Sequence, residues 1–169
     1  MSRILRHDPE SVGIILDENG WADTNALISG MNKANKKVTL DDLKVVVENN
    51  NKQRFKFSDD FSKIRANQGH SVQVNVEMNE TVPPDILYHG TATRFLASIK
   101  TDGLLPQKRL QVHLSADKET AIKVGGRHGK PVVLTINVAK MHEDGFVFYL
   151  SENGVWLTSA VPSSYIWQF

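Results

Sequence analysis

Cysteine is missing from all 169 residues, which excludes disulfides, thiolate nucleophiles and cysteine-ligated zinc. Long apolar runs are missing too, so no segment approaches the length of a membrane-spanning helix. Acidic residues and Pro9 stand where a secretory signal needs an apolar stretch, and a soluble, cytoplasmic protein is expected. Neither sign of charge dominates: the net charge is +1 and the isoelectric point is about 8.0. That balance argues against a protein that coats nucleic acid broadly, so any anion site must be a local cluster. A phosphate-binding Walker loop, a dinucleotide fingerprint and a nucleophile elbow are all absent. The six histidines include no His-Glu-x-x-His or comparable helical pair, and no metal site is expected.

What is present reads as an α+β chain of two lobes. The content of 40% hydrophobic residues is enough for packed cores. Residues 2–7 predict a short helix that stops before Pro9. Asp17-Glu18-Asn19-Gly20 reads as a turn, and Trp21 opens the next buried segment. Asp23 or Thr24 caps a helix bearing Ala26, Leu27 and Met31. Thr39-Leu40-Asp41-Asp42 resembles a capping box, with Asp in place of Glu, and opens a helix that Asn49-Asn50-Asn51 ends. Arg54-Phe55-Lys56-Phe57 and Lys63-Ile64-Arg65 flank a turn and predict a hairpin. Short helices followed by a hairpin give a winged-helix-like lobe over residues 1–80.

Val72, Val74, Val76 and Met78 alternate with polar residues, which predicts a strand, and Pro83-Pro84 marks the boundary. Beyond it, residues 81–169 read as mostly β with a few helices. Strands are expected at Ile86-Leu87-Tyr88, 112–115, 132–138, 146–150 and 155–158, with Ser151-Glu152-Asn153-Gly154 as the turn of the last pair. Helices are expected from Phe95 to the stop at Gly103 and over 117–124, ended by Gly125-Gly126.

The densest chemistry lies in Ile64-Arg65-Ala66-Asn67-Gln68-Gly69-His70-Ser71, where a cation, two amides, a flexible glycine and an imidazole crowd together. Arg6-His7, His113 before Leu114-Ser115, and Arg127-His128-Gly129 also follow apolar elements. Such positions deliver side chains from rigid supports, and Arg rather than Lys suits bidentate recognition of phosphate.

These motifs resemble one family over nearly the whole chain and in its order. Leu5-Arg6-His7-Asp8-Pro9, Arg54-Phe55, the stretch from Ile64 to Ser71, Leu87-Tyr88-His89-Gly90-Thr91, Val112-His113-Leu114-Ser115, Val124 to Pro131 and Ser151 to Thr158 are similar to the NAD-dependent RNA (tRNA) 2′-phosphotransferases. The resemblance implies an RNA-binding winged-helix lobe and an ADP-ribosyltransferase-like lobe that holds NAD. It implies a catalytic set of Arg6, His7, Arg65 and Arg127 around the 2′-phosphate, with Asn67, Gln68, His70 and His128 binding substrate. It further implies that His89, Gly90, Thr91, His113 and Ser115 hold NAD, consumed as a co-substrate. Gln111 departs from the pattern, in a position where a second His is common.

The implied reaction removes an internal 2′-phosphate from a tRNA-like RNA in splicing. It passes through an ADP-ribosylated RNA and releases nicotinamide and ADP-ribose 1″,2″-cyclic phosphate. A monomer is expected, with no membrane partner. Two other readings stay open on the residues. One is an ADP-ribosyltransferase acting on protein or on a terminal nucleic-acid phosphate, for which Glu152 is the nearest carboxylate; the other is a non-catalytic winged-helix RNA-binding module.

Overall fold

The computed structural model describes every residue except Asn51, Glu77 and Phe169, and for Gln168 only the backbone. Its internal contacts divide the chain into two units, Met1–Glu77 and Met78–Phe169.

The first unit begins with helix α1 (Ser2–Arg6), which buries Ile4, Leu5 and Arg6 and leads into a 3-10 turn at Pro9–Val12. A helix this short owes its stability to tertiary packing rather than to propensity. Asp17 folds the following turn by accepting from the amides of Asn19 and Trp21, and Gly20 there has a φ of 78°. Strand β1 (Trp21–Asp23) then hands Asp23 to helix α2 (Thr24–Lys33), where its carboxylate accepts from the Ala26 amide at 2.7 Å. Helix α3 (Leu40–Glu48) carries the full reciprocal box between Thr39 and Asp42. Asn51, the last of the three residues expected to end α3, lies outside the described residues.

Strands β2 (Phe55–Phe57) and β3 (Lys63–Ala66) complete an antiparallel sheet of order β1-β3-β2. The register aligns Trp21, Arg65 and Lys56 in one row and Ala22, Ile64 and Phe57 in the next. Strand alternation sends Ala22, Ile64, Phe55 and Ala66 into the core with Leu5, Leu27 and Leu43. The other row is left for chemistry.

The strand expected from Val72 to Met78 does not form among its described residues; Glu77 lies outside them. The burial alternation is real, with Val76 buried and Val72 and Val74 half-buried between exposed neighbours. Its backbone, however, bonds to turns and helix ends: the Val72 amide donates to the Arg6 carbonyl and the Asn75 amide to that of Glu18. Periodicity of burial is not the same as a ladder.

The second unit holds two three-stranded antiparallel sheets. One is β4 (Ile86–Ala92), β6 (Pro131–Asn137) and β9 (Ile166–Gln168), in the order β4-β6-β9. The other is β5 (Val112–Leu114), β8 (Trp156–Thr158) and β7 (Tyr149–Leu150), in the order β5-β8-β7. Reciprocal amide-to-carbonyl bonds between Tyr88 and Ser115, at 2.9 and 2.7 Å, join β4 to the end of β5. Leu87, Leu114, Leu134, Ile136, Met141 and Phe148 form the core between them. Helix α4 (Leu96–Asp102) ends at Gly103 as expected.

Two expectations are corrected here, and one element is added. The long strand stops at Asn137, whose side chain accepts from the Lys140 amide and starts an unforeseen helix α6 (Val138–Glu143). Only Tyr149–Leu150 of residues 146–150 pair as strand, because the Phe146 amide is drawn back to the Met141 carbonyl. Strand β9 was not foreseen from the sequence. The mixed helix and antiparallel-sheet content matches the α+β expectation.

Helix α5 (Lys118–Gly125), capped by Asp117, packs against β4. A Cβ on Gly90 would lie 1.7 Å from the Ala121 carbonyl oxygen, and one on Gly125 would lie 2.5 Å from that of Thr91. Only glycine permits this backbone approach. Gly90→Ala is therefore expected to lower stability by about 3 kcal/mol through overpacking. Thr39→Ala, which removes only a cap, should lower it by about 1 kcal/mol; urea unfolding of both variants checks the ranking.

Candidate functional site

In the first unit the site is built where α1 ends. The last carbonyls of a helix lack partners inside it, and the Arg6 carbonyl instead accepts from the Ser71 amide at 2.9 Å. His7 Nδ1 and Ser71 Oγ are 2.9 Å apart, so a second hydrogen bond fastens the same loop to the same helix end. Loop 67–71 follows directly from β3, whose third residue is Arg65. Three short pieces of chain thus bring Arg6, His7, Arg65 and His70 together.

Both guanidinium groups of this cluster rest on aromatic rings. The Arg6 guanidinium carbon lies 5.8 Å from the Phe55 ring centroid, and that of Arg65 lies 4.5 Å from the centroid of Trp21, its cross-strand partner. Arg65 also donates from Nη1 to the Asn19 carbonyl at 3.2 Å. Both arginines are buried, at 9% and 5% exposure. Buried guanidinium groups stay charged. Asn67 donates from Nδ2 to the Gln53 carbonyl at 2.6 Å. The Asn67 and Gln68 side-chain oxygens and His70 Nε2 are buried without a hydrogen-bond partner.

His70 is 2% exposed. Burial, then the positive charges of Arg6, His7 and Arg65, push its pKa down from 6.5 to about 4. At neutral pH it is an uncharged imidazole facing three basic groups, a setting that favours a bound anion.

Arg127, grouped with Arg6 and Arg65 by sequence, belongs to the second unit with His128, and both are exposed just past α5. Their amides donate to the Val124 and Gly125 carbonyls and so continue the helix end. His89, Gly90 and Thr91 lie inside β4 rather than at its end. His89 and Thr91 share one strand face, whereas Gly90 turns to the face that α5 covers. Gly90 thus has a packing duty of its own. His89 Nδ1 donates to the His113 carbonyl at 2.9 Å, and Ser115 is held by Tyr88. Burial, then the charges of Arg109 and His128, lower the His89 pKa against the opposing effect of the hydrogen bond, so His89 is neutral as well.

Two residues of this geometry had no signal in the sequence alone. Trp21 supports Arg65 only because β1 pairs with β3. Arg109, an exposed residue in a loop, donates from Nη1 to His113 Nδ1 at 2.6 Å. Glu152 is exposed and lies in the turn held by Ser151 and Gly154. Among the described residues no group of three or more His, Asp or Glu could hold a metal ion, and no helix is long and apolar enough to cross a membrane. A hollow of about 590 Å³ between Ser11–Gly13 and α2 shares no residue with either cluster.

The chain matches known proteins over nearly its full length. The sequence model of the family described as RNA 2′-phosphotransferase, Tpt1 / KptA, matches residues 1–160. A protein of Flavobacterium johnsoniae named "Probable RNA 2′-phosphotransferase" is 52% identical over 166 residues, covering 98% of this chain and 91% of the relative. One of the same name from Acaryochloris marina is 54% identical over 165 residues, with the same two coverages of 98% and 91%.

His70 makes the first unit sensitive to acid. Below pH 6.5 the unfolded chain takes up a proton that the folded chain refuses until about pH 4. Its contribution is complete above pH 6.5 and is lost as the pH falls through this window, by on the order of 3 kcal/mol. Urea unfolding at pH 7.0, 5.5 and 4.5 should show this decline in the parent protein and a shallower one in His70→Gln; equal slopes would contradict it.

Proposed function

Because the chain belongs to the RNA 2′-phosphotransferase, Tpt1 / KptA family, we propose that it removes an internal 2′-phosphate from RNA by transferring it to NAD. The observation that carries this reading is the gathering of Arg6, His7 and Arg65 around uncharged His70 by a loop tied to the end of α1. Such a cluster suits a phosphate dianion, whose second pKa near 6 leaves it largely ionised at neutral pH. A winged-helix-like first unit presents this cluster to RNA. An ADP-ribosyltransferase-like second unit holds NAD along β4 and β5, where His89, Thr91, His113 and Ser115 offer the hydrogen-bonding groups a nucleotide requires.

NAD supplies an electrophilic ribose carbon with nicotinamide as its leaving group. The 2′-phosphate is already a nucleophile, so the first step asks the protein for positioning rather than for a general base. Arg6 and Arg65 hold its oxygens with donors fixed on aromatic rings before substrate arrives. Arg127, in the second unit, is the fourth member of the catalytic set that the family resemblance implies. Asn67, Gln68 and His70 contact the RNA around the phosphate, and His128 is a substrate-binding residue of the second unit. In the second step the O2″ hydroxyl of the ADP-ribose attacks phosphorus and loses its proton, forming the 1″,2″-cyclic phosphate, while the RNA 2′-oxygen leaves and takes up a proton. His7, exposed and oriented through Nδ1 by Ser71, donates it.

Loss of a 2′-phosphate from a short RNA is expected only when NAD is present, and a chelator should leave it unchanged. Arg65→Ala should weaken binding of the 2′-phosphorylated RNA roughly tenfold or more, whereas His89→Ala should weaken binding of NAD. Equal losses for both ligands in both variants contradict the assignment. His7→Ala is expected to accumulate ADP-ribosylated RNA with the second step slowed about 10²–10⁴-fold. If both steps slow together and nothing accumulates, His7 only positions the phosphate.

A further inference from the structure

Past the end of β4 the second unit gathers cations that no acid neutralises. We infer that Arg94, Phe95 and Lys130 form an RNA-binding surface beside Arg127, which holds the single-stranded backbone and a base flanking the 2′-phosphorylated nucleotide. This deepens the RNA reading above and rests on it.

Charge is segregated along this part of the chain. No Asp or Glu stands between Asp85 and Asp102 or between Glu119 and Glu143, whereas these stretches hold Arg94, Lys100, Lys123, Arg127, Lys130 and Lys140. In a chain of net charge +1 such runs are local excesses of positive charge. The fold brings Arg94, Arg127 and Lys130 to one end of the β4–β6 pair. Ala92 lies opposite Pro131 in the antiparallel register, and the Thr93 amide donates to the Lys130 carbonyl at 3.1 Å. Arg94 and Phe95 follow in a 3-10 turn directly after this bond. From the other side, the amides of Arg127 and His128 donate to the Val124 and Gly125 carbonyls, and the chain turns from α5 into β6 across the same end.

Arg94, Arg127 and Lys130 are exposed, and among the described residues none of them pairs with a carboxylate. Lys123 differs, because Glu119 pairs with it at 2.7 Å. The Arg94 guanidinium carbon lies 4.7 Å from the centroid of the Phe95 ring, which is itself 39% exposed. An arginine resting on an exposed ring among unpaired cations suits single-stranded nucleic acid: the cations follow the backbone, and the ring or the guanidinium plane takes a base. An acidic peptide would leave the ring without a use. Continuity sets which RNA is held. Arg127 belongs to the implied catalytic set and to this same end of the sheet, so a strand that meets Arg127 continues onto Lys130 and Arg94.

The test compares the full-length protein with the double variant Arg94→Gln/Lys130→Gln, two exposed positions whose change should leave the unfolding midpoint unmoved. Affinity is measured against salt for three RNAs: a dinucleotide bearing an internal 2′-phosphate, a longer single strand bearing the same phosphate, and that strand without it. In the parent protein affinity is expected to fall more steeply with salt for the phosphorylated longer strand than for the dinucleotide. The double variant should flatten the log–log slope for both longer strands by about 1.4, because each phosphate contact on a single strand contributes about 0.7. It should also weaken their binding about tenfold, with dinucleotide affinity unchanged. Phe95→Ala should weaken the longer strands about fivefold to hundredfold without moving the slope. Equal slopes for dinucleotide and phosphorylated strand in the parent, an unmoved slope in the double variant, or an equal loss on the dinucleotide overturns the proposal. Retained binding in Phe95→Ala overturns the stacked base. Tighter binding of polyglutamate than of the strand without the 2′-phosphate makes an acidic protein the partner and overturns it too. A parent protein that binds no phosphorylated dinucleotide overturns the 2′-phosphate reading itself, while the strand without that phosphate still judges this surface.

Discussion

The hydrogen bond from the Ser71 amide to the Arg6 carbonyl is the constraint on which the first unit's chemistry depends. Helix α1 has only five residues and ends with unsatisfied carbonyls. The loop after β3 supplies the missing donor and so places its own His70 beside the side chain of Arg6. One backbone contact thereby completes a helix and assembles a site. Because Arg65 precedes this loop on β3, the sheet register transmits the positions of Trp21 and Lys56 to the same place. A change that frees Ser71 would disperse the cluster without touching any charged group.

Gathering cations has an electrostatic cost that the surrounding structure limits in two ways. Like charges about 4 Å apart repel by roughly 1 kcal/mol in water and about 4 kcal/mol at the effective dielectric of a protein surface. Stacking Arg6 on Phe55 and Arg65 on Trp21 recovers part of this, at about 0.5–2 kcal/mol for each contact. Keeping His70 uncharged avoids adding another cation at neutral pH. What repulsion remains is available to a bound oxyanion, so donors fixed in advance favour phosphate without reorganising.

Much of this was legible in the sequence, for reasons that are local. Thr39 caps the helix it precedes, and Asp23, one of two candidates, caps the next, because a cap needs only the next three residues. The β2–β3 hairpin and the Ser151 turn follow from short-range turn chemistry in the same way. Long-range pairing was hidden. Trp21 faces Arg65 through a pairing of residues 44 positions apart, which no periodicity encodes. Gly90, read as a ligand contact, has a packing role that the sequence did not reveal: its missing side chain admits the Ala121 carbonyl. Val72, Val74 and Val76 alternate as a strand would, but their neighbours take up the backbone donors. Helix α6 was missed because Asn137 is both the end of a strand and the cap of a helix, and the apolar run across it reads as one element.

The two units use different electrostatic means, and the difference follows from what each is proposed to hold. A 2′-phosphate offers concentrated charge, so permanent guanidinium groups on rigid rings are the effective donors, and attraction to them weakens as salt rises. A dinucleotide spreads hydroxyls, an amide and a diphosphate over many atoms, and charge alone cannot distinguish their order. Imidazoles held in one orientation can, and the Nδ1 contacts of His89 with the His113 carbonyl and of His113 with Arg109 hold theirs. Discrimination by donor and acceptor pattern is short-ranged and little affected by salt, because a mismatched buried polar group loses its partner outright. On the proposed NAD reading, selectivity for the nucleotide rests on how these two rings are held.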